Sequence, residues 1–354
     1  MKLGIIYHEK YCQYDLGSDH PFRGNRFVDS RRFLKEKGLD ESPDVTFIEP
    51  EIAVWKDLVK VHAKNYVDLI FHLAETGKPY DLETPVSAEI LEALMYIIGG
   101  TIKAGTSIYG GKVDRAVNLG GGFHHAGRNY GGGFCIFNDV AILSEHLRQE
   151  YKLKRILILD FDVHFGNGTS DIFYSDPGVL YISLHQDPRT IFPGTGFIEQ
   201  IGSGEGEGYN VNVPLPPRTG EATYLFALKE IFAPLAEEFK PDVIIANGGS
   251  DAHFADLLGR LGLTVNGFFE MSRTIRETSK KICGGKVVLL VGSGYNPKVL
   301  PYCWYALIMG ILGAEKIDIQ DPYPPPNHPW ENREKVENVL RELKKILSKY
   351  WKCF

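Results

Sequence analysis

The chain has 354 residues, of which 44% are hydrophobic and 24% charged, the mixture of a folded globular protein and not of a disordered or fibrous one. A formal charge of −6 without a basic stripe excludes tight, non-specific phosphate binding, so no direct nucleic-acid partner is expected. Cys12, Cys135, Cys283, Cys303 and Cys353 are scattered and form no C-x-x-C pair, which argues against a disulfide framework or a thiolate metal site.

The opening run, MKLGIIYHEKY, is apolar over too few residues for a signal segment or a membrane span, so a cytoplasmic protein with no membrane partner is expected. Apolar runs rich in β-branched residues then recur at 3–7, 45–48, 116–119, 155–160, 179–184, 243–246 and 287–291. Most are continuous rather than alternating, the pattern of strands covered on both faces, as in a parallel sheet. Helical patterns fall between them at 87–106, 138–150, 224–239 and 268–283. This alternation predicts a three-layer α/β/α fold around a central, mostly parallel sheet. One domain over residues 1–320 is expected, because α/β chains of this length often form a single one. Residues 321–329, DPYPPPNHP, are too rich in proline for a helix and predict an extended connector. It leads to a last helix, in a segment ending at residue 354, whose Val336, Leu340, Leu343, Leu347 and Tyr350 follow a heptad-like spacing. That stripe packs on the parent domain or, in a homo-oligomer, on a second copy.

In an open parallel sheet, ligands bind beyond the carboxyl ends of the strands, so the informative positions are those where an apolar run gives way to polar residues. Four such places stand out. The run ILDFDVHFGN turns a buried strand into Asp160, Asp162, His164 and Asn167. Residues two apart on a strand point to one side, so Asp162 and His164 can converge on one cation, although D-x-H alone also reads as a hydrogen-bonded pair. The run ANGGSDAH places Asp251 just past a glycine-rich exit, where it can supply a third ligand. Three protein ligands with one open position is the arrangement of a catalytic metal rather than a structural one. The run LGGGFHHAG presents His124 and His125 at a third exit, where a pair of imidazoles can divide the work of proton acceptor and electrostatic stabiliser. Finally, GSGYN puts the hydroxyl of Tyr295 at the same rim, able to hydrogen-bond a carbonyl oxygen as negative charge develops on it.

Taken together, GGGFHHAG, GGGFCIFND, ILDFDVHFGNGT, YISLHQ, FPGTG, NGGSDAH and GSGYN, in that order, resemble the histone deacetylase family, which includes acetoin-utilisation deacetylases and acetylpolyamine amidohydrolases. The resemblance runs from His20-Pro21 to Trp304. It implies the arginase/deacetylase-like fold and a metal-dependent amidohydrolase that removes acyl groups from lysine side chains or small amines. The implied metal ligands are Asp162, His164 and Asp251, with Zn2+ as the metal and Fe2+ as an alternative that an Asp/His/Asp donor set also accepts. The resemblance pairs His124 with Asp160 and His125 with Asn167, and makes Tyr295 the residue that polarises the carbonyl. His125 is then the proton shuttle, passing the proton of a metal-activated water to the leaving amine, while His124 stabilises the transition state. Phe134 and Phe192 match the aromatic walls of a narrow acyl channel, and Gly133 matches its floor. A structural K+ is further implied at backbone carbonyls around Asp160, Asp162, His164, Ser183 and Leu184.

Three positions depart from the family pattern. Phe165 follows the ligand histidine where a second histidine is common. Glu83 stands where relatives often carry a rim aspartate that grips the substrate backbone. Leu258 stands where polyamine-specific relatives place an acidic gatekeeper, which disfavours a polycationic substrate. Rival readings are weaker. An arginase-type two-metal site needs carboxylates where Phe165, Gly166 and Asn167 stand, and Gly120, Gly122 and His125 do not complete G-x-G-x-x-G. A binding-only member has no use for the phenol of Tyr295.

Overall fold

A computed structural model describes residues 2–81, 83–326 and 331–354. In chain order its elements are β1 (Leu3–Ile6), α1 (Asn25–Glu36), β2 (Val45–Ile48), α2 (Trp55–Leu58), α3 (Lys64–Thr76), α4 (Ala88–Tyr109), β3 (Arg115–Asn118), α5 (Asp139–Tyr151) and β4 (Ile156–Asp160). There follow α6 (Asn167–Phe173), β5 (Val179–Gln186), β6 (Asn210–Leu215), α7 (Glu221–Phe239), β7 (Val243–Gly249), α8 (Val265–Ile282), β8 (Val287–Ser293), α9 (Leu300–Leu312) and α10 (Arg333–Leu347). The chain forms two compact units, the first made of Met1–Leu153, Asn167–Ile172 and Val288–Gly292, the second of Lys154–Gly166, Phe173–Val287 and Ser293–Phe354.

In the first unit β1 lies between β2 and β3, and β3 also pairs with β8, every pairing parallel. In the second, β4 lies between β7 and β5, and β5 pairs with β6, again all parallel. Strands β3, β4, β5 and β7 are buried along their whole length, as continuous apolar runs require when both faces are covered. Helices pack on them in each unit, α4 on β1 and β3, and α7, α8 and α9 on β5 and β7. This is the three-layer α/β/α class with a parallel sheet expected from the sequence. Helix α4 begins where Ser87 Oγ accepts the amide of Ile90 at 3.2 Å, a side-chain cap for a donor with no partner in the helix.

Strand β6 and helices α1, α2, α3, α6 and α9 are additions to the expected elements. In β6, Asn210 and Asn212 interrupt the valines and read as loop, yet both are buried because their side-chain amides donate to the carbonyl of Gln200 at 2.5 and 2.9 Å. In α10, Val336, Leu340, Leu343 and Leu347 are buried, and the helix packs on α7 and β6 of its own unit. Tyr350 lies past the helix end and is exposed, its hydroxyl donating to Glu207 at 2.7 Å. Of the expected connector, residues 327–329 lie outside the described residues. No helix among the described residues is long and apolar enough to cross a membrane.

Candidate metal centre and histidine pair

In the second unit the parallel register sets Asp160 level with Asn247, so the segments leaving β4 and β7 emerge at the same end. Asp162 and His164 come from the first segment and Asp251 from the second. All three are buried, and one ligand atom from each lies within 4.8 Å of the others. The Nδ1 of His164 is 3.0 Å from Asp162 Oδ1 and 3.6 Å from Asp251 Oδ2. Backbone amides fix both carboxylates: His164 N donates to Asp162 Oδ1 at 2.8 Å, and Val163 N donates to Asp251 Oδ1 at 3.2 Å. The other oxygen of Asp251 is buried and accepts no hydrogen bond from the described residues.

Two buried carboxylates facing each other are costly unless positive charge stands between them. Burial, reinforced by Asp162, holds the Asp251 carboxyl well above its usual range. Burial alone would lower His164, but the hydrogen bond to Asp162 and the charges of Asp162 and Asp251 outweigh it and push the imidazole up to about 10. Both shifts express one demand for a cation. A set of two carboxylates and one imidazole, in which the buried Asp251 Oδ2 accepts no hydrogen bond, fits a divalent ion of the zinc or iron kind.

Asp160 is fully buried and stands outside this trio. Its Oδ2 accepts the hydroxyl of Tyr181 at 2.9 Å, and its Oδ1 accepts from the Asn247 side chain at 3.2 Å and from Asp162 N at 3.3 Å. The Tyr295 ring stands edge-on to that of His164, with centroids 6.1 Å apart. Asp256 holds its backbone, accepting from Tyr295 N at 2.8 Å and, through the other oxygen, from Leu258 N and Gly259 N at 2.9 Å. Phe192 and Leu258 are exposed. Phe165, by contrast, is buried against the rings of Tyr181 and His185.

In the first unit the segment leaving β3 carries the two histidines. Asp139, at the start of α5, accepts the amides of Gly122 at 3.0 Å and Phe123 at 2.8 Å. A further tie runs from Thr169 N to the carbonyl of His124 at 3.0 Å. Both imidazoles are buried, with their Nε2 atoms 3.1 Å apart. The Nδ1 of His125 lies 2.7 Å from Asn167 Oδ1, and Asn167 Nδ2 donates to the hydroxyl of Tyr130 at 3.3 Å. Gly133 and Phe134 both adopt positive φ, 54° and 68°, an uncommon conformation for phenylalanine. The Phe134 carbonyl accepts the Tyr14 hydroxyl at 2.7 Å, and the His20 ring stands edge-on to the Phe134 ring at 4.5 Å. Glu83 is exposed in a turn, its amide bonded to Asp81 at 2.8 Å.

The expected ligands Asp162, His164 and Asp251 are thus together in one unit with Tyr295 beside them, and His124, His125 and Asn167 are together in the other. Sequence reasoning missed Asp139 and Asp256, whose work is to hold backbone amides. The signal for Asp256 was faint: an aspartate two and three residues before Leu258 and Gly259, the spacing of a side-chain turn.

The histone deacetylase domain family matches residues 20–311. A protein of Archaeoglobus fulgidus described as "Probable deacetylase" is 36% identical over the whole of both chains. The acetoin utilization protein AcuC of Bacillus subtilis is 35% identical over 88% of this chain and 82% of its own, and that of Staphylococcus xylosus is 32% identical over 88% and 83%. Among solved structures, the crystal structure of the HDA15 HD domain superposes with a TM-score of 0.86 at 27% identity, covering 99% of this chain and 96% of that one.

Proposed function

Because this chain belongs to the histone deacetylase family, we propose that it is a zinc-dependent deacetylase that hydrolyses the linear amide of an acyl-lysine or of a small acylated amine. The observation that carries the reading is the buried trio of Asp162, His164 and Asp251, which converges with one carboxylate oxygen unpaired. A divalent ion held there would polarise the scissile carbonyl and acidify a water molecule, with Fe2+ an alternative to Zn2+. Tyr295 donates its hydroxyl to the carbonyl oxygen as charge develops on it. His125, oriented by Asn167, takes the proton of the attacking water and hands it to the leaving amine, while His124 stabilises the charge of the transition state, with Asp160 the residue that the family resemblance assigns to its support. By the family resemblance, Gly133, Phe134 and Phe192 would contact the acyl-bearing stem, and Glu83 and Leu258 would select what the stem is attached to. By the family resemblance, backbone carbonyls around Asp160, Asp162, His164, Ser183 and Leu184 would hold a structural K+. The protein works in the cytoplasm, and a homo-oligomer would use a surface other than the apolar stripe of α10, which is buried within its own unit.

The test is turnover of a panel of acyl-lysine peptides and small acetylated amines by purified protein, metal-stripped and then reloaded with Zn2+ or Fe2+. Hydrolysis that is lost on stripping and restored on reloading is the expected result. Hydrolysis that survives full removal of metal would refute the reading.

A further inference from the structure

The orientation of the Asn167 amide decides what His125 can do. An amide oxygen only accepts, so the 2.7 Å contact of Asn167 Oδ1 with His125 Nδ1 requires the proton on Nδ1 and leaves the lone pair on Nε2. Turned over, the same amide would present its NH2 group to Nδ1 and select the opposite tautomer, in which Nε2 carries the proton and can accept none. Electron density rarely separates the two orientations, so the hydrogen-bond network must.

That network lies in the first unit. The Tyr130 hydroxyl is hydrogen-bonded to Asp171 Oδ2, and a carboxylate can only accept, so the phenolic proton points at Asp171. The phenol oxygen then accepts, which is what the 3.3 Å contact from Asn167 Nδ2 requires. Burial and the Asp171 carboxylate both raise the pKa of the phenol, so it keeps its proton at neutral pH. Asp171 follows Asn167 by four residues on α6 and shares its helix face. The Tyr130 ring itself is seated over Gly127, where a Cβ would lie 2.2 Å from the ring, and its carbonyl accepts Gly127 N at 3.0 Å.

Resting on the reading of His125 as proton shuttle, we propose that Tyr130 and Asp171 are positioning residues: they lock the Asn167 amide in one orientation and thereby hold His125 in the tautomer with a basic Nε2. Neither touches the reacting atoms. The lock is a chain in which each group donates to the next in one direction, from imidazole to amide to phenol to carboxylate.

The test uses full-length protein, metal-free and zinc-loaded. Nitrogen-15 imidazole spectra should show His125 protonated at Nδ1 in the wild type and as a mixture of tautomers in Tyr130→Phe. On an acetyl-lysine peptide, Tyr130→Phe should lower kcat by roughly tenfold, part of the 10²–10⁴ that a positioned base contributes, with KM within about twofold. In an Asn167→Asp background there is no NH2 group to misplace, so adding Tyr130→Phe should change kcat by less than about twofold. An equal tenfold loss in both backgrounds would assign Tyr130 to packing alone and overturn the proposal, as would an unchanged tautomer in Tyr130→Phe. If His125→Ala kept full turnover, the shuttle reading would fall, and the tautomer spectra would still decide the lock by themselves.

Discussion

Gly168 leaves no room for a side chain against the histidine loop, and Gly168→Ala tests whether that loop must sit where it does. It follows Asn167 in α6, where no Cβ is needed for the helix and alanine would ordinarily be welcome. A Cβ built there would lie 2.3 Å from the Ala126 carbonyl oxygen, 2.4 Å from its carbon and 2.6 Å from the carbonyl carbon of His125. All three atoms belong to backbone, and ordinary contact begins at 3.4 Å, so the loop or the helix must yield by about 1 Å. The loop cannot swing away freely, because Asp139 and Thr169 tie it at 2.8 and 3.0 Å. Overpacking of this kind costs about 1–3 kcal/mol of stability. A displacement of about 1 Å at a proton-transfer group costs on the order of 10²-fold in rate, equivalent to about 2.7 kcal/mol of barrier. The assay is kcat/KM on an acetyl-lysine peptide, beside thermal unfolding and metal content by elemental analysis. Gly168→Ala should lose turnover a hundredfold while retaining its metal and most of its folded stability. Activity within twofold of wild type would mean that the loop relaxes without consequence, and the argument from close approach would be wrong.

Tyr295→Phe should retain the metal but lose about 2–4 kcal/mol of transition-state stabilisation, read as a drop in kcat/KM; unchanged turnover would remove the phenol from the chemistry. Added Zn2+ should raise the Tm of the wild type and leave that of Asp251→Ala unchanged, since a ligand stabilises only the state that binds it; an equal rise in the variant would place the metal elsewhere. His62 offers a test by pH. It is buried, with Nδ1 2.8 Å from the Gly127 carbonyl and Nε2 accepting from Asn138 N at 2.9 Å, and burial outweighs the Gly127 bond to bring its pKa down from 6.5 to about 4. The unfolded imidazole therefore takes up a proton below pH 6.5 that the folded one refuses until about 4, so this contribution is full above that window and lost as pH falls through it. Urea unfolding of His62→Gln should show a pH dependence about 3 kcal/mol flatter than wild type between those limits; the same slope in both proteins would show that His62 does not titrate as described.

The strand exits were legible because the chemistry there is local. An unbroken apolar run ending in Asp160, Asp162 and His164 announces both a buried strand and the polar cluster at its tip. The same logic found His124 and His125 after β3 and Tyr295 after β8. It failed where burial is achieved by hydrogen bonding instead of apolar character, as for Asn210 and Asn212 in β6, whose partner carbonyl belongs to Gln200. It failed also for residues whose partners are remote in sequence. Asp256 meets Tyr295 N across 39 positions, and nothing in the residues around Asp256 announces that contact. Tyr130 sits in a glycine-rich stretch that reads as a turn, and only its place beside Asp171 and Asn167 gives it a task.

The sequence by itself determined the fold class, the two carboxylates and the imidazole that could hold a metal ion, and the strand ends that carry the histidines and the phenol. Periodicity and strand termination are properties of a few consecutive residues, and the β4 and β7 exits follow from them. Tertiary structure alone decided that Asp251 Oδ2 comes to 3.6 Å from His164 without a hydrogen bond, and which nitrogen of His125 faces Asn167. Those are matters of a few tenths of an ångström between segments far apart in the chain, and hydrogen-bond and ligand geometry exist only once the segments have packed.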